Sequence, residues 1–248
     1  MSGHSKWANI KHRKGKADAA RGAATTKIGR EITTAVRIGG ADPSGNMRLK
    51  LALQKARENN IPKENIQRAI QKGQGTLEGV SFEEITYEGY GTAGVALLVE
   101  TMTDNRNRTA AEMRHLFSKN GGNMGESGCV AWMFHKKGLI LIDKAKGPSE
   151  EDLLAIVLDA GAEDMQSEGD QFEITCASED FETVVNALET AGVKWDSAEI
   201  SMIPETTITL AGDDAVKLMR LVDALEEHDD VQAVYGNFDV PEDEDDDA

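Results

Sequence analysis

Ile28, Ile32, Ala35 and Val36 recur at helical spacing and run into Gly39-Gly40, which predicts a first helix and its stop. Leu49, Ala52, Leu53 and Ala56 repeat at i, i+3, i+4 and i+7, a second helix entered through Asp42-Pro43-Ser44. Pro62 opens a third, with Ile66, Ala69 and Ile70 turned inward and Gly73 at its end. Three short amphipathic helices with short connections predict a small bundle. From Ser81 the period changes to two: 85–88 and 95–101 read as strands joined by a glycine-rich turn, Gly89 to Gly94. A helix over 107–119 carries the stripe Ala110, Met113, Leu116 and Phe117, and the glycine-rich stretch 121–128 leads into an expected strand over 129–134.

Residues 138–203 read as strand, helix, strand, strand, helix, strand, the ferredoxin-like order, which closes a sheet without help from outside. The preceding block holds only two strands, a helix and a strand. After Pro204 come a short strand, a helix and the strand 231–238, with no sheet of their own. The economical solution returns 205–240 to the sheet begun at 81. The expected class is α+β: an N-terminal three-helix domain followed by two ferredoxin-like-type α/β domains, one inserted into the other. The expected limits are a basic arm over 1–21, the bundle over 22–79, a discontinuous domain over 80–134 and 204–240, the inserted domain over 135–203, and an acidic, disordered tail over 241–248.

Composition narrows the class. Hydrophobic residues are 40% and charged residues 29% of the 248, which excludes fibrous and wholly disordered chains. No apolar run approaches the roughly 18 residues of a membrane helix, and the N-terminus lacks the apolar core of a secretory signal. Cys129 and Cys176 form no CxxC pair, which excludes a disulfide framework or zinc ribbon and fits a cytoplasmic protein. The formal charge of -17 hides a polarity: residues 1–75 carry 16 Lys/Arg against five Asp/Glu, while 76–248 carry 11 against 39. Such asymmetry points to a polyanion met by the basic end.

The chemistry-bearing motifs weigh against catalysis. Gly89-x-Gly91-x-x-Gly94 matches a dinucleotide fingerprint, but a strand follows where that motif needs a helix, so the glycines are read as a turn. Walker A, HExxH and GxSxG sequences are absent. Ser2-Gly3-His4 has the donors for a square-planar Cu(II) or Ni(II) complex if Met1 is removed, a capability shared by any chain beginning so. His115 reads as a surface or half-buried histidine, and Glu226 to Asp230 as a solvated turn after a helix. The basic set differs: Lys6, Lys11, Arg13, Lys14 and Lys16 with Trp7 in a mobile arm, then Lys27, Arg30 and Arg37 within about 80° of one another on the first helix. Cations along an arm and a bundle, with one aromatic, suit phosphate neutralisation and base stacking. In TDNRNRT (103–109), Thr109 and Glu112 pair as a capping box, which places Arg106 and Arg108 at a helix N-terminus, beside an anion or nearby carboxylates. No base-reading helix-turn-helix stands out.

The segments GHSKWANIKHRKGKADAARG (3–22), TDNRNRT (103–109) and FSKNGGNMGESGCVAWMF (117–134) resemble the YebC family over almost the whole chain. The resemblance implies three domains, an N-terminal helical one and two α/β ones with one inserted, and makes the TDNRNRT turn and the glycine-rich loop contact surfaces. It implies DNA-binding transcriptional regulators for bacterial members, or ribosome-associated translation factors that ease elongation through proline-rich stretches. It implies neither catalysis nor a cofactor. The expectation is a non-enzymatic, cytoplasmic, monomeric regulator of gene expression without a cofactor or metal. Its partner is nucleic acid, DNA or ribosomal RNA, with the ribosome itself as the alternative and no membrane. An enzyme or ligand sensor built on 138–203 is the competing class, for which no clustered nucleophile or paired carboxylate is visible.

Overall fold

A computed structural model describes residues 19–78 and 81–240. The basic arm with Lys6, Trp7, Lys11, Arg13, Lys14 and Lys16, the Ser2-Gly3-His4 start and the acidic tail lie outside the described residues. The chain divides into two compact units, with residues 134–205 forming one and the flanking parts of the chain the other.

In the larger unit, α1 (Ala19–Gly39), α2 (Met47–Glu58) and α3 (Lys63–Gly73) form the expected bundle. Ile32, Ala35, Val36, Leu49, Ala52, Ala56, Ile61 and Ala69 are its buried core. Asn46 caps α2: its side chain accepts from the Leu49 N–H and donates to the carbonyls of Ala35 and Gly40. Gly40, at φ 84°, supplies the left-handed residue that ends α1. Gly73 has a different reason to be glycine. A Cβ there would meet Val36 Cβ at 2.6 Å and the Thr33 carbonyl at 2.7 Å, so α3 reaches α1 only without a side chain.

The same unit holds β1 (Glu83–Tyr90), β2 (Ala96–Thr103), α4 (Arg106–Lys119) and β3 (Asn123–Met124). After the other unit it resumes with β8 (Ile208–Thr209), α7 (Gly212–Glu226), β9 (Val231–Gly236) and β10 (Phe238–Asp239). The sheet order is β3-β1-β2-β9, all antiparallel, so the returning segment does lie against β2. Leu97 and Val99 of β2, Met113 and Phe117 of α4, Leu218, Leu221, Val222 and Leu225 of α7, and Val231 and Val234 of β9 are buried together. The short β8 joins not this sheet but β10, in a parallel pair. The segment 129–134 is a second departure from expectation. It is a turn and a short 3-10 helix, Ala131–Met133, and the strand begins only at Phe134.

The smaller unit runs β4 (Phe134–Asp143), α5 (Glu150–Asp159), β5 (Ala162–Glu168), β6 (Gln171–Ala177), α6 (Phe181–Thr190) and β7 (Ser197–Pro204). Its sheet order, β5-β6-β4-β7, is antiparallel throughout, the ferredoxin-like arrangement. The class is therefore α+β with one α/β unit inserted into another. Ser149 caps α5 by accepting from the Asp152 N–H, with three acids in the first turn where the helix dipole favours them. Burial lifts the Cys176 thiol to about 11, with the charges of Asp180 and Glu163 adding to it, so this cysteine is a packing residue.

Candidate functional site

The larger unit is organised around two buried carboxylates. Asp230, in the turn between α7 and β9, is 1% exposed, although it sits in a run of acids that read as solvated. Its Oδ1 accepts from Arg30 Nη1 at 2.6 Å; its Oδ2 accepts from Arg108 Nη2 and from the Thr109 hydroxyl, each at 2.7 Å. Arg30 also donates to the carbonyls of Met102 and Asp229, and lies over the Phe82 ring at 5.1 Å. Burial pushes the Asp230 carboxyl up. The bonds from Thr109, Arg108 and Arg30 more than offset it and hold the group far below the usual carboxylate range.

This arrangement corrects the capping-box expectation. The N-cap of α4 is Asn105, whose side chain accepts from the Arg108 N–H at 3.1 Å. Thr109 is buried one turn further in, against Thr103 and Asp230. Glu112 faces His228 at 2.8 Å and Arg108 at 3.7 Å. The His228 Nδ1 accepts from the Asp230 N–H, which leaves Nε2 to donate to Glu112.

Glu112, His228 and Asp230 place ligand-type atoms within 4.8 Å of one another. The donor set does not fit a metal ion. Both Asp230 oxygens are taken by guanidinium and hydroxyl donors, both His228 nitrogens are engaged, and the Arg108 charge already fills the position a cation would take.

The second carboxylate, Glu88 on β1, is 5% exposed and ordered by the glycine-rich loop. Oε1 accepts from the Gly128 N–H at 2.6 Å, and Oε2 from those of Val130 and Ala131 at 2.7 Å each. Burial raises this group, and the three amides outweigh it, so its pKa lies below the usual value. The loop leaves Trp132 66% exposed, with its indole N–H donating to the Cys129 carbonyl.

The expected contact residues part company here. Arg30 and Arg108 are spent on Asp230. Lys27 donates to the carbonyl of Glu226 at the α7 C-terminus, where the helix dipole favours a cation. Arg37 is exposed and donates to the Ser81 hydroxyl at 2.6 Å. Arg106 is exposed at the start of α4. Arg48 bridges Glu31 and Glu84 at 2.6 Å each. Arg57, Lys63, Arg68 and Lys72 are exposed and make no ion pair among the described residues. The signal for Asp230 was absent locally, since nothing in a run of acids singles out the buried one, and Glu88 is set apart only by the amides of a loop some 40 residues downstream.

Comparison with known proteins places this architecture. Residues 5–76 match the TACO1/YebC protein N-terminal domain and residues 82–238 the TACO1/YebC second and third domain. A "Probable transcriptional regulatory protein" of Carboxydothermus hydrogenoformans is 59% identical over 242 residues, covering 97% of this chain and 99% of that one. One of the same name from Pelotomaculum thermopropionicum is 58% identical with the same coverage. The crystal structure of a conserved hypothetical protein from Aquifex aeolicus superposes with a TM-score of 0.83 at 47% identity, covering 95% of this chain and 97% of that one. With the bundle, the discontinuous sheet and the inserted unit all accounted for, the chain belongs to the TACO1/YebC family.

Proposed function

We propose that this protein is a nucleic-acid-binding regulator of gene expression, acting by binding rather than by catalysis, with DNA as its polyanion. The observation that carries the reading is the segregation of charge: 16 Lys/Arg against five Asp/Glu over residues 1–75, in a chain of net charge -17. The structure narrows which cations are available. Phosphate contacts fall to Lys6, Lys11, Arg13, Lys14 and Lys16 of the N-terminal segment with Trp7, to Arg37, and to the exposed Arg57, Lys63, Arg68 and Lys72 of the bundle. Arg30 and Arg108 instead hold the scaffold, and Lys27 caps α7. The names of the bacterial relatives, probable transcriptional regulatory proteins, support the choice of DNA.

A second reading, a ribosome-associated factor contacting RNA, is favoured by the 39 acids of residues 76–248, which confine any polyanion to part of the surface. Titration of the full chain with duplex DNA, and sedimentation with ribosomes, both over rising salt, separate the two. Salt-dependent duplex binding without ribosome co-migration is the expected result; co-migration without duplex binding would overturn the DNA reading.

A further inference from the structure

We propose that the solvent face of α4 is a second contact surface for the backbone of duplex DNA; this rests on the nucleic-acid reading above. Asn107, Ala111, Arg114 and Ser118 recur at i, i+4, i+7 and i+11 and form one stripe, with His115 and Lys119 about 70° and 110° round the helix to one side of it. All six are exposed, while Thr109, Met113 and Phe117 on the other side of the helix are buried. Glu112 is the single carboxylate of the helix; it lies on the Lys119 side, two turns earlier, and is engaged by His228 and Arg108. Arg106, Arg114 and Lys119 make no side-chain hydrogen bond or ion pair among the described residues.

The sign of this face is the reverse of its surroundings. Residues 76–248 carry 11 Lys/Arg against 39 Asp/Glu, yet four of the 11 fall within 106–119. A face serving only solubility in so acidic a segment would be acidic or mixed. Here its charges are cationic, Arg114 on the stripe with Lys119 to one side, and Asn107 is a donor of the kind that bonds phosphate oxygens, while the Ser118 hydroxyl donates to the His115 carbonyl at 3.1 Å. A helix of this length extends about 20 Å. Over that distance a duplex presents roughly twelve phosphate charges. Arg108 and Arg30 meet on Asp230, so the start of α4 is tied to α1 and to the bundle that carries the other exposed cations.

The test measures binding of the full chain to a short labelled duplex of random sequence by anisotropy, as a function of salt. The double variant Arg114→Ala/Lys119→Ala should flatten the slope of log K against log salt by about 1.8, the release of two phosphate contacts. Arg114→Lys/Lys119→Arg, which keeps the charge, should keep the slope. An unchanged thermal midpoint for both variants shows that charge and not folding is being read. An unaltered slope in the alanine variant, beside a flattened slope when Lys11, Arg13, Lys14 and Lys16 are replaced, overturns this surface and leaves the proposed function standing. No duplex binding by the unaltered chain at the lowest salt overturns both. Flattening with ribosomal RNA but not with the duplex overturns DNA as the occupant.

Discussion

Arg30 and Asp230 lie 200 residues apart in the chain, and the Arg30 Nη1 donates to the Asp230 Oδ1 at 2.6 Å, with the side chains 16% and 2% exposed. That bond, with Arg108 on the other carboxylate oxygen, joins the first helix, the start of α4 and the turn before β9. A buried charge is tolerated only when paired and hydrogen-bonded, and here each oxygen is satisfied. A cation that the charge pattern assigns to phosphate is thereby a structural element.

Asp230→Ala should be strongly destabilising, because it leaves the partly buried Arg30 guanidinium without its counter-charge. Breaking such a pair costs about 3 kcal/mol or more. Urea unfolding should show this as a lowered midpoint; a midpoint within error of the unaltered chain would refute the scaffold role.

Arg30→Ala and Arg68→Ala/Lys72→Ala should fail in opposite assays. The first should lower the thermal midpoint. The second, on exposed α3 positions without ion pairs among the described residues, should leave the midpoint in place and flatten the salt dependence of duplex binding by about 1.8. Both variants behaving alike in both assays would contradict the division between scaffold cations and the proposed contact cations.

Glu88→Gln should free the glycine-rich loop. The amide of Gln has one acceptor oxygen and cannot serve the amides of Gly128, Val130 and Ala131 together. Leaving a buried donor unsatisfied costs about 1–3 kcal/mol. Hydrogen exchange at Gly128, Val130 and Ala131 should accelerate while that of β2 amides stays slow; unchanged loop protection would count against the clamp.

The pH dependence follows from the same two carboxylates. Both are held below their ordinary values in the folded state. Their contribution is therefore fully present above the unfolded values, about 3.9 for Asp and 4.3 for Glu, and is lost as pH falls through the lower folded values. Stability should be flat in this respect from pH 5 to 7 and fall with acidification below about 4. The fall should be shallower in Glu88→Gln; an identical acid limb would show that Glu88 titrates normally.

Gly73→Ala should destabilise the bundle although alanine favours helices by propensity. The added Cβ would come within 2.6 Å of Val36 Cβ and 2.7 Å of the Thr33 carbonyl. Overpacking of this kind costs about 1–3 kcal/mol. A stabilised variant would mean that α3 can move away from α1 freely.

Periodicity is a local property, and whatever depends on it was legible in the chain. The stripes of α1, α2 and α3, the stop at Gly40 and the βαββαβ order of residues 134–205 all follow from residues a few positions apart. The return of β9 to β2 followed from counting strands that needed a neighbour. The strand expected over 129–134 illustrates where this fails. Its apolar, strand-prone residues lose their ladder because the amides of Val130 and Ala131 are claimed by Glu88, more than 40 positions upstream, and a tertiary acceptor overrides local preference. Asp230 is the sharper case. Its neighbours are acids like itself, and its partners Arg108 and Arg30 lie 122 and 200 residues away. The elements, the fold class and the polarity of charge can be read along the chain, since each is a sum or a period over its residues. Which cations face solvent and which are neutralised inside emerges with folding, because desolvation and pairing depend on what the fold brings within hydrogen-bonding distance.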